Sequence, residues 1–236
     1  MNAQLLERAI AGISDPDYPA AFDAPLRASF AGGCARRIGY QLRNEPATNP
    51  LTHVSILAFN IGSAVHLVVQ AALQRLYPEG EAEAEGGLIA LGSAICPWDP
   101  SDDGGEPTIG CHADFFYGSD ALPTVVEIKS MQPYAFNKAK EEGVQEHHLL
   151  QAGLAGLALG AEYLELVYVN KSQGQIAVYR FHPSAWRAKA TQEAIRLARV
   201  YELHTEGELA PPMDPERKVW QCKFCPWLAV CTEAGN

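Results

Sequence analysis

Residues 109–130, IGCHADFFYGSDALPTVVEIKS, constrain what this chain can fold into more than any other stretch. An acid, Asp114, is followed by an apolar run and then by Glu127-Ile128-Lys129. Side chains alternate faces along a strand, so Glu127 and Lys129 point one way and Ile128 points into the core. If the segment carrying Asp114 pairs with this strand as a hairpin, Asp114 comes to sit beside Glu127. Two carboxylates meeting at one point are oxygen ligands for a hard cation such as Mg²⁺ or Mn²⁺. Such a cation polarises a phosphoryl oxygen and supplies a hydroxide-like nucleophile. Lys129 would orient the water or stabilise charge developing on the phosphate. The bland reading of the same residues is a surface strand with a salt bridge.

The rest of the chain sets bounds on that reading. Its 236 residues fit one domain with at most a small appendage. A 47% hydrophobic content supports a sizeable core, and the absence of a run of about 18 apolar residues argues against a membrane span. The opening MNAQLLERAIAG has no basic region ahead of an apolar stretch, so no secretory signal and a cytoplasmic location are expected. The net charge of −10 counts against a strongly basic nucleic-acid wrapper but not against an enzyme with a local basic groove. Two acidic segments, residues 79–87 and 99–106, hold many of the acids and read as loop or hairpin material.

Taken in order, residues 1–12 read as a short helix. Ser29 can cap a second helix in which Arg36 and Arg37 follow Cys34. Residues 55–77 carry helical periodicity, with Ile61, Val65, Val68, Val69, Ala72 and Leu76 as the apolar face. Within it lies Gly62-x-x-x-His66: the glycine sits one turn before the histidine and removes bulk where another backbone approaches. His66 is then a candidate imidazole ligand, against the plainer reading of a core histidine. Residues 88–96, 108–116 and 125–129 read as strands, and His112 shares a strand face with Asp114. Residues 141–160 form a helix containing Gln151, whose small residues imply tight packing on the sheet. Residues 162–170 and 175–181 form a hairpin at the sheet's edge. Residues 183–204 form a helix with Trp186, Ile195 and Leu197 inward. Its Arg187, Lys189, Arg196 and Arg199 either line a DNA groove or form a solvated face.

A Pro-rich linker, APPMDP, leads into Cys222-x-x-Cys225-x5-Cys231. In a reducing cytosol, clustered cysteines argue for metal rather than disulfides. Cys-x-x-Cys is a compact bite on one metal; the third thiolate leaves one vacancy, which Cys34 can close from far away in sequence. A [4Fe–4S] cluster and a Cys₄ zinc site both suit four thiolates. Cys96 and Cys111 read as core thiols.

Together, Cys34, Gly62-x-x-x-His66, Asp114, Glu127-Ile128-Lys129, Gln151 and the C-terminal cysteine trio resemble the CRISPR-associated, RecB-like iron–sulfur exonucleases of the PD-(D/E)xK nuclease superfamily and their phage-encoded relatives. Two positions depart from that pattern. The family's glycine three residues before the aspartate is Cys111 here, with Gly110 one earlier, and the tyrosine a turn after Gln151 is replaced by Leu154 and Ala155. The resemblance implies an α/β fold, a central mixed sheet flanked by helices, with an iron–sulfur cluster joining the N- and C-terminal segments. It implies a cysteine-rich subdomain from residues 1–50 and 207–236 around a nuclease core of residues 51–206. It implies Mg²⁺- or Mn²⁺-dependent cleavage of DNA, typically from single-stranded ends. His66, Asp114, Glu127 and the carbonyl of Ile128 would hold the metal, Lys129 would be the catalytic lysine, Gln151 would contact DNA or orient the site, and Cys34, Cys222, Cys225 and Cys231 would hold a [4Fe–4S] cluster. A CRISPR integrase or a recombination protein would be the partner, in the host cytoplasm for a phage-encoded member. Two rivals stand beside it: a DNA-binding or adaptor protein that keeps the fold but does not cut, and a zinc-stapled structural protein.

Overall fold

Alternating and continuous apolar runs build a sheet, and longer apolar periodic segments build the helices that cover it. The computed structural model describes residues 24–49, 52–91, 94–98, 108–118, 122–213 and 219–233. The expected helix at residues 1–12 and the acidic segment at 99–106 lie outside the described residues. The strands are β1 (Leu26–Arg27), β2 (Glu81–Leu91), β3 (Ala94–Trp98), β4 (Thr108–Tyr117), β5 (Thr124–Met131), β6 (Tyr163–Asn170) and β7 (Ile176–Phe181). The helices are α1 (Ala35–Leu42), α2 (His53–Leu76), α3 (Pro133–Glu142), α4 (Glu146–Ala158), α5 (Pro183–Thr205), α6 (Val219–Lys223) and α7 (Leu228–Glu233).

Among the described residues these strands form one mixed sheet of order β3-β2-β4-β5-β6-β7, with β1 pairing parallel to β4. β5 and β6 run parallel, and the other neighbours run antiparallel. Interior strand β6, next to the edge, is buried on both faces over Leu166–Asn170, as a strand covered on both sides must be. Edge strand β7 alternates exposed and half-buried residues. The hairpin expected at the sheet's edge is β6–β7, closed by Gly174 at φ 68.

Three expectations need correction. Residues 88–96 are not one strand: β2 begins at Glu81 and turns back into β3. Of the loop and hairpin readings of the acidic segment 79–87, the loop one falls: it is mostly strand, in the β2–β3 hairpin, with Ala84 buried between exposed Glu83 and Glu85. Residues 141–160 are not one helix, because Gly143 at φ 89 ends α3 before α4 begins. The small residues of α4 do permit close packing: a Cβ at Gly153 would meet that of Ala190 on α5 at 2.8 Å, and one at Gly156 would meet Leu164 of β6 at 2.7 Å.

Helix α2 also differs from its expected face. Val65, Val69 and Leu73 pack on the cluster formed by Phe115, Val126, Ile128, Val167 and Val169. Ile61, Val68, Ala72 and Leu76 are exposed instead. The helix is apolar all round, so periodicity does not select its buried stripe. By length and composition alone this 24-residue helix is apolar enough to cross a membrane, although polar residues interrupt its apolar run. Its centre is nevertheless tied to the sheet by polar bonds from His66 and Gln70 to Asp114.

The chain divides into two compact units. Among the described residues, one takes in residues 33–60 and 199–236, and the other takes in residues 21–32 and 61–198 and contains the sheet.

Candidate active site

The site begins where two strands stop pairing. β4 and β5 are in register at Tyr117↔Thr124, Phe116↔Val125 and Phe115↔Val126. The next pair in that register would be Asp114 and Glu127, and there the ladder ends. The Asp114 carboxylate takes its place: Oδ2 accepts the N–H of Ile128 at 2.5 Å. Oδ1 lies 3.2 Å from Nδ1 of His66, on α2. The helix comes this close because residue 62 is glycine; a Cβ there would already stand 3.2 Å from Oγ of Ser130. Ile128 thus orients Asp114 through its N–H.

Glu127 is 1% exposed. Its Oε1 is 2.5 Å from Nζ of Lys129, and its Oε2 has no hydrogen-bond partner among the described residues. Lys129 also donates to Oε1 of Gln151, on α4, at 3.1 Å. Thus Asp114, His66 and Ile128 form one connected group, and Glu127, Lys129 and Gln151 form another.

The electrostatics follow from burial. Desolvation pushes Glu127 up to about 7; the Asp114 charge adds to this, and Lys129 and His66 oppose it. Burial pulls His66 down, but the hydrogen bond and charge of Asp114 outweigh it and leave the imidazole above its ordinary value. His148 is pushed down to about 2 by burial, then by the charges of Lys129 and His147, so it stays neutral. Its Nδ1 sits 2.9 Å from the Tyr168 hydroxyl, which burial raises to about 12 and which also accepts the N–H of Gln145. A neutral Nδ1 accepts the tyrosine proton in that arrangement.

The donor set suits a hard cation. An orphaned, fully buried carboxylate oxygen beside a second acid and an imidazole is costly on its own, and a divalent ion would satisfy it. Among the described residues, no three His, Cys, Asp or Glu side chains are gathered into a ready ligand set.

Two residues were not anticipated from sequence. Gln70, 5% exposed, donates from Nε2 to the main-chain oxygen of Asp114 at 2.9 Å and to Oε1 of Glu83. A polar residue one turn beyond His66 in an apolar helix is the signal that could have found it. Glu83 had no such signal, lying in an acidic segment read as loop or hairpin material. His112 does lie on the Asp114 face as expected, bonded to Glu83 and Glu85. The basic residues of α5 are engaged by acids: Arg187 with Glu162, Lys189 with Glu146, Arg196 with Glu193 and Arg199 with Glu202.

In the other unit, Cys34 precedes α1, Cys222 lies in α6, Cys225 follows it and Cys231 lies in α7. All four are free thiols, and all four line one cavity with Arg36, Arg37 and Tyr40. Its volume of about 120 Å³ is several times the roughly 10–15 Å³ that one water needs. Burial raises the Cys222 thiol, and the neighbouring sulfurs of Cys34, Cys225 and Cys231 raise it further. The thiols therefore share a cavity, although they are not drawn together at ligand distances. Cys111 is the buried core thiol expected of it, pushed upward by desolvation; the side chain of Cys96 lies outside the description.

No family model matches the chain, and no curated protein matches it. Among solved structures, the alkaline exonuclease LHK-Exo from Laribacter hongkongensis aligns with a TM-score of 0.48 at 14% identity, over 83% of this chain and 93% of that one. The crystal structure of a protein designated SSO0001 aligns with a TM-score of 0.59 at 18% identity, over 98% of this chain and 96% of that one. This chain is similar to SSO0001 in fold along nearly its whole length.

Proposed function

We propose that this chain is a Mg²⁺- or Mn²⁺-dependent deoxyribonuclease of the PD-(D/E)xK type, acting on DNA ends and carrying a structural [4Fe–4S] cluster. The observation that carries the reading is the parting of β4 and β5 at Asp114 and Glu127, which leaves a buried, unpartnered Glu127 oxygen beside an acid and an imidazole. His66, Asp114 and Glu127, with the carbonyl of Ile128, would hold the cation. When bound, the cation would polarise a phosphoryl oxygen and lower the pKa of a bound water.

The chain's own groups supply the rest. Asp114 is oriented by a main-chain N–H and by His66, which limits the directions its carboxylate can take. Lys129, held by Glu127 and Gln151, is a fixed positive charge for the phosphate. His148 stays neutral beside it and so adds no competing cation.

Digestion of end-labelled single-stranded DNA with Mn²⁺ tests this. Wild type is expected to cut, and Asp114→Ala and Lys129→Ala are expected to lose on the order of 10²–10³ in rate. Equal, negligible activity in all three overturns the reading in favour of a DNA-binding adaptor that no longer cleaves. Cys34, Cys222, Cys225 and Cys231 would hold the cluster, and their shared cavity supports that assignment. Anaerobic purification should give a brown protein with about four irons per chain; a colourless, zinc-containing protein favours the zinc staple instead. The partner and the process served, spacer acquisition or recombination, rest on the sequence resemblance.

A further inference from the structure

We infer that Gln70 and Glu83 form a clamp that sets the His66–Asp114 pair, making them positioning residues for the cation site; the inference rests on the metal-dependent reading of that site. Gln70 lies four residues after His66 on α2, so both project from one face of the helix. His66 meets the side chain of Asp114, and Gln70 meets its main-chain oxygen. Two attachments to one residue fix both the rotation of the helix and its height along the strand. With either alone, His66 could swing about the remaining bond.

Glu83 closes the clamp from the neighbouring strand. It stands across from Asp114, between the pairs Ala82↔Phe115 and Ala84↔Ala113. Its Oε1 accepts the second amide hydrogen of Gln70, and its Oε2 lies 3.3 Å from Nδ1 of His112. The other ring nitrogen of His112 is 2.9 Å from Oε1 of Glu85. Glu83 adopts φ 54, a left-handed backbone that a glutamate keeps only where its surroundings fix it. Here the fixing contacts are those to Gln70 and His112, so the strained residue and the clamp are one device. An ordinary buried glutamine would need only one acceptor and no strained partner.

The test is Mn²⁺ binding to metal-free protein, read from the free-ion electron paramagnetic resonance signal, with thermal melts as the folding control. Wild type is expected to take up one Mn²⁺. Gln70→Leu, which keeps bulk but donates nothing, should bind about tenfold more weakly, the usual scale for losing a group that orients a ligand. Glu83→Gly, which tolerates the left-handed backbone, should weaken binding likewise. Glu83→Gln, which keeps an acceptor for Gln70, should restore wild-type affinity. In turnover, the weakened variants should raise the apparent KM for Mn²⁺ and leave kcat at saturating Mn²⁺ near wild type. Folded Gln70→Leu and Glu83→Gly with wild-type affinity overturn the clamp, and so does Glu83→Gln behaving like Glu83→Gly. Asp114→Ala separates the two claims. If it loses binding while Gln70→Leu keeps it, only the clamp falls; if Asp114→Ala itself keeps the ion, the cation site and the clamp fall together.

Discussion

A buried glutamate held near pKa 7 is a liability to a protein unless something is meant to bind it. Between the ordinary carboxylate value of 4.5 and about 7, folded Glu127 keeps a proton that the unfolded chain has released. The metal-free protein therefore loses stability as pH rises through that window, and stays less stable above it. His66 acts in the same direction: its raised value contributes fully below 6.5 and fades as pH climbs through the folded value. Glu127→Gln should accordingly raise the Tm of metal-free protein at pH 8 by a few degrees, change little at pH 4, and abolish the stabilisation that Mn²⁺ gives wild type. Melts at the two pH values, with and without Mn²⁺, check this. His66, Asp114, Glu127 and Lys129 were singled out in sequence by residue type and spacing, and the fold joins His66 to Asp114 and Glu127 to Lys129. Gln70 and Glu83 were not, since their roles arise from contacts across α2, β2 and β4 that no local spacing encodes.

Elements were legible as far as pattern was unambiguous. The β6–β7 hairpin and the long helices α2 and α5 follow from their apolar periods and turns. The buried stripe of α2 did not follow, because apolar residues surround the helix and only the sheet selects Val65, Val69 and Leu73. Strand β2 was hidden by composition: glutamate, alanine and glycine are poor strand formers, although Glu-Ala-Glu-Ala-Glu alternates with the period of a strand. The corrected face of α2 is directly testable. Leu73→Ala should cost about 2 kcal/mol by lost packing, whereas Val68→Ala, at a residue 72% exposed, should stay within about 0.5 kcal/mol. Denaturant unfolding of the two variants measures the contrast.

On the scale of the whole molecule, the chain divides into a sheet-bearing unit and a cysteine-bearing unit, each with its own candidate metal chemistry. Cys222→Ser should therefore lower bound iron and destabilise the terminal unit while Mn²⁺ affinity is unchanged. Metal analysis beside Mn²⁺ titration reads both, and loss of Mn²⁺ binding in that variant would contradict the separation. The Cys-x-x-Cys bite and the resemblance pointed to Cys34 beside the distant trio from sequence alone, and all four line one cavity in the unit that holds them. That unit is drawn from both sides of the sheet-bearing segment in sequence. A ribosome makes chains from the N-terminus onward, so every strand of the sheet has been synthesised before Cys222, Cys225 and Cys231 exist to join Cys34. The thiol quartet can therefore be completed only after the strands have been made, and a chain cut short before Cys222 could carry the acids of the sheet without ever acquiring it.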